Sequence, residues 1–130
     1  SCECTAVSGG PKLMQRIAKP LIFVAAAAVT SVLFINFCDL VYQCGCESLW
    51  AGAAEHCNIH DAESRHCPWC SIGNAGAFAV WGTIVAAQAA VTFGWRGSSL
   101  IPRALLGLAG FPVTGGFLAV IVGVATGYWR

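Results

Sequence analysis

Polar and apolar positions along this chain fall into long blocks rather than short alternations. The run LIFVAAAAVTSVLFINFCDLV, residues 21–41, is apolar almost throughout, and comparable runs cover residues 72–95 and 104–129. No Asp, Glu, Lys or Arg interrupts 20–36, 70–95 or 104–129. Each block matches the ~20 residues an α-helix needs to cross a bilayer. A helix satisfies its own backbone hydrogen bonds in lipid, which irregular chain cannot do. The pattern predicts an all-α integral membrane protein of one domain, residues 1–130, with three transmembrane helices at 21–41, 72–95 and 104–129. Residues 42–71 become a long loop between the first two helices.

Composition strengthens that picture. Hydrophobic residues make up 57% of the chain and charged residues 10%, against the about 25% charged residues of soluble domains. The net charge is only +1 and no basic patch gathers, which excludes a nucleic-acid partner. Lipid is the expected surrounding, with other membrane protein subunits as expected partners, because three helices enclose little by themselves. Small residues such as Gly76, Gly82, Gly107 and Gly110 allow close helix packing, and Gln88 is expected to hydrogen-bond between helices.

The few charges also orient the chain. Lys12, Arg16 and Lys19 precede the first block, and Arg96 and Arg103 lie between the second and third. Positive residues stay on the cytoplasmic side, so the N-terminus is expected inside and the loop 42–71 outside. The first block lacks a small-residue cleavage site and reads as a retained anchor, and Ser1 suits removal of an initiator Met. Trp50, Trp69, Trp95 and Trp129 lie near helix ends, as in an interfacial aromatic belt, and Trp81 lies deeper.

The loop carries the chemistry. Between Cys38 and Cys70 lie six of the eight cysteines and all three histidines. A connection of ~30 residues is long enough to be functional, and its stretch ESLWAGAAEHC predicts a short helix on the membrane face. Three kinds of chemistry fit. An even number of cysteines in an oxidising compartment forms structural disulfides, although Cys44-x-Cys46 is expected to splay and pair elsewhere. Cys67-Pro-Trp-Cys70, directly before a helix with its positive N-terminal end, suits thiol–disulfide exchange, with Cys44 and Cys46 as the second pair. Cys57, His60, His66, Cys67 and Cys70 instead offer thiolates and imidazoles for zinc or another soft metal. Cys2-x-Cys4 sits on the expected inner side and receives no role.

A C-x-x-C opening a transmembrane helix on the outer face resembles the layout of the quinone-linked membrane disulfide oxidoreductases, the disulfide-bond formation protein B and vitamin K epoxide reductase families. That resemblance implies a quinone near Cys67 and Cys70, and relay of electrons through Cys44 and Cys46. The sequence leads to thiol–disulfide redox chemistry on an external Cys/His loop. The alternative is a non-catalytic accessory subunit of a larger membrane complex, its loop held by disulfides or zinc.

Overall fold

A computed structural model describes residues 10–130; Cys2 and Cys4 lie outside the described residues. The element order is α1 (Gly10–Tyr42), α2 (Pro68–Ser71), α3 (Gly73–Gly94) and α4 (Leu100–Thr126), with single 3₁₀ turns at Leu49–Ala51 and Asn58–His60. No strand occurs among the described residues. Three helices are long and apolar enough to cross a membrane, and α1, α3 and α4 pack against one another.

The ends of the helices differ from the blocks of apolar sequence. Helix α1 is already formed at Gly10 and runs through Pro20, because Lys and Arg are good helix formers and hydrophobicity marks the lipid boundary rather than the backbone's. At about 1.5 Å per residue its 33 residues exceed the ~30 Å hydrocarbon core. Helix α4 stops earlier than the apolar run, at Thr126, because Gly127 turns left-handed and Tyr128 N–H closes back on the Gly123 carbonyl at 2.9 Å.

A buried polar link crosses the bundle. Thr30 Oγ1 donates to Gln88 Oε1 at 3.1 Å, and Gln88 Nε2 donates to the Gly107 carbonyl at 3.0 Å. Gly110 has no side chain to hold the helices apart; a Cβ there would stand 3.1 Å from Gln88 Cγ. At the other end Arg103 is buried and donates through Nη2 to the carbonyls of Trp95 and Gly97 at 3.0 and 2.9 Å. Its guanidinium therefore fixes the turn between α3 and α4.

Aromatic packing ties the loop to the helices. Trp69 is 1% exposed and stacks on Phe34 at a centroid distance of 5.3 Å, with Tyr42 edge-on at 5.5 Å. It belongs to the core and not to an interfacial belt, whereas Trp50 and Trp129 are exposed. The expected helix at 47–57 is reduced to one 3₁₀ turn, since Gly52 and Ala53 both adopt positive φ (110° and 53°) and end it.

Candidate metal centre

Helix α1 delivers the first sulfur. Cys38, 3% exposed, lies one turn before Tyr42. The helix end is fixed on both sides: Tyr42 Oη donates to the Ala119 carbonyl at 2.9 Å, and Tyr128 Oη donates to the Tyr42 carbonyl at 2.7 Å. Beyond it the chain reverses through Gln43 (φ 50°) and Gly45 (φ 77°). Gly45 N–H donates to Asp39 Oδ1 at 2.7 Å, closing the turn.

That reversal brings Cys44 and Cys46 onto the same side, their sulfurs 3.4 Å apart. In extended chain the two side chains of a C-x-C share a face but are spaced about 6.6 Å along the strand; the left-handed residue between them folds the chain so that the sulfurs meet rather than splay. A Cβ on Gly45 would also lie 2.8 Å from the His56 carbonyl oxygen. Gly45→Ala is therefore expected to cost at least the about 1–2 kcal/mol of a left-handed non-glycine residue. Chemical denaturation in detergent checks this, and an unchanged midpoint would contradict the turn.

Asn58 organises the rest. Its backbone N–H donates to the Cys44 carbonyl at 2.7 Å. Its side chain accepts from Cys67 N–H at 2.8 Å and donates to the Arg65 carbonyl at 2.7 Å and to Tyr128 Oη at 3.1 Å. Asn58 thus ties both cysteine segments to the residues just beyond α4. The C-x-x-C forms its own single turn, α2, with Pro68 at its start and Cys70 N–H on the Cys67 carbonyl at 3.1 Å. Ile72 separates it from α3, which opens on left-handed Gly73 (φ 74°), so Cys67 caps the short α2 turn rather than the membrane helix itself.

Six sulfurs converge as a result. Cys38 Sγ lies 3.1 Å from Cys67 Sγ and 3.7 Å from Cys44 Sγ. The sulfurs of Cys38, Cys67 and Cys70 all lie within 4.8 Å of one another, as do those of Cys44, Cys46 and Cys57. Five of the six cysteines are buried and Cys70 is half-buried. No protein-family model, curated protein or solved structure matches this chain.

Of the residues singled out from sequence, Cys44, Cys46, Cys57, Cys67 and Cys70 all join the cluster. His60 and His66 lie outside both sulfur groups, with Nε2 3.0 Å from the Ala54 and Asp61 carbonyl oxygens respectively. Cys38, Gly45 and Asn58 were not singled out. Cys38 sits within a membrane block where its facing depends on how α1 rotates, and nothing local marks Asn58 as a clamp.

The electrostatics favour thiolates at the C-x-x-C. Hydrogen bonds from the thiols of Cys38 and then Cys67 hold Cys70 down to about 4. Cys67 is likewise lowered, by Cys38 and Cys44 first and also by the Cys70 backbone N–H. Burial pushes Cys46 up. In reduced, metal-free protein Cys70 should therefore alkylate with iodoacetamide at pH 6, while Cys46 should need alkaline solution. Equal pH profiles by peptide mapping would contradict this order. A cavity of about 690 Å³ lined by Cys38, Cys46, Cys70, Phe34, Trp69 and Trp81 gives the reagent access.

Proposed function

We propose that this is a membrane protein whose cap, on the outer face, is a closed soft-metal thiolate centre, stapling α1 to the segments before α3. The carrying observation is the convergence of six sulfurs, four of them linked by contacts of 3.1–3.7 Å and those of Cys57 and Cys70 within 4.8 Å of their groups. Tetrahedral thiolates at ~2.3 Å from zinc stand ~3.8 Å from each other, so small outward shifts admit an ion. An all-sulfur, largely buried set selects zinc or copper(I) over hard cations. A site with no open ligand position is structural rather than catalytic. The function that follows is a non-catalytic subunit that presents a rigid cap to a larger membrane assembly.

Thiol–disulfide exchange remains the second reading, favoured by the apolar cavity against which Cys70, Cys38 and Cys46 lie. A quinone or another apolar electron carrier would occupy that space. The two readings exclude one another at the same sulfurs, because a disulfide sulfur is no thiolate ligand.

Alkylation separates them. Purified without reductant in the presence of zinc, the protein should resist iodoacetamide at all six cysteines and become reactive when a strong chelator removes the metal. Cysteines that ignore the chelator and react only after a reductant is added would overturn the metal cap in favour of disulfides.

A further inference from the structure

The sulfurs do not gather as one set of four. They form two groups of three, Cys38/Cys67/Cys70 and Cys44/Cys46/Cys57, which meet where Cys38 and Cys44 stand 3.7 Å apart. A single tetrahedral zinc site would draw four sulfurs to mutual distances of ~3.8 Å and leave two cysteines without a role. Resting on the metal-cap reading, we infer that the centre is dinuclear, each ion seated in one sulfur triad and both joined by shared thiolates of Cys38 and Cys44. Three thiolates leave a tetrahedral ion short of one ligand. The contact between the groups supplies it, since a thiolate carries enough lone pairs to bridge two ions. The ion of the first triad then takes Cys38, Cys67, Cys70 and Cys44; the other takes Cys44, Cys46, Cys57 and Cys38. On binding, each thiol loses its proton to solvent and no electron moves.

The local architecture suits that division. One triad is built from α1 and the α2 turn, the other from the Gly45 reversal and the residue before Asn58. Asn58 bonds to both halves, through Cys67 N–H and the Cys44 carbonyl. Movement of either half is thereby passed to the other, as a shared-ligand centre requires.

The test uses the full chain in detergent, with Cys2→Ser and Cys4→Ser so that the six described cysteines are its only thiols. Loaded with zinc and desalted, it should hold two ions per chain by native mass spectrometry. Cys46→Ser with Cys57→Ser leaves one four-sulfur set and should hold one. Should that variant misfold, ¹¹³Cd spectra of the cluster-intact protein suffice: two resonances split by coupling through a shared sulfur are expected. One ion per chain, or two uncoupled resonances, would overturn the dinuclear centre while leaving the metal cap standing. No bound ion would overturn both.

Discussion

Trp69→Ala should destabilise the protein by about 3–5 kcal/mol, the range for truncating a large buried aromatic residue. The indole is 1% exposed, lies between two cluster cysteines, and stacks on Phe34 and Phe37 of α1 at 5.3 and 6.3 Å. Removing it leaves a void beneath the C-x-x-C turn and uncouples that turn from α1. Among the described residues Trp69 Nε1 is buried without a hydrogen-bond partner, so packing is what holds the ring. Trp69→Phe, which keeps an aromatic ring and removes the orphan N–H, should recover at least half of the loss. Denaturant titration in detergent reads both values. Equal effects of the two substitutions would mean that packing area is not what Trp69 contributes.

Asn58→Ala is the second large effect. It deletes hydrogen bonds to Cys67 N–H, the Arg65 carbonyl and Tyr128 Oη. At about 1 kcal/mol each for partly exposed groups, the loss is ~2–3 kcal/mol. Metal binding and loop order are coupled, so zinc affinity should fall ~30- to 140-fold, at tenfold per 1.4 kcal/mol. Competition against a chromophoric chelator measures it. Asn58→Asp keeps the acceptor for Cys67 and loses the donor, and should fall between Ala and wild type. An Asp variant as weak as Ala would remove the Cys67 bond from the clamp.

The three long helices were legible in the sequence because lipid enforces uninterrupted apolar runs, and few other environments do. The gathering of cysteines near one end was legible for a similar reason, since Cys38 and Cys70 bracket a single connection. Which sulfurs meet was not. The sulfurs of Cys44 and Cys46 come within 3.4 Å of each other across a left-handed Gly45, and sequence shows that Gly permits such a turn without showing that it occurs. Trp69 occupies the same distance from the membrane block whether it faces lipid or core; only the opposing Phe34 and Tyr42 decide. Ligand spacing points to the histidines, yet His60 and His66 engage carbonyls of their own loop. The expected helix at 47–57 failed at Gly52 and Ala53, where positive φ overrides an amphipathic pattern.

Zinc X-ray absorption on the detergent-solubilised full chain tests the central claim most directly. A metal centre built from Cys38, Cys44, Cys46, Cys57, Cys67 and Cys70 predicts a first shell of sulfur alone at ~2.3 Å, unchanged when His60 and His66 are replaced by Ala. A shell containing nitrogen at ~2.0–2.1 Å that disappears with those histidines would contradict it, as would protein that retains no zinc while its cysteines are paired in disulfides.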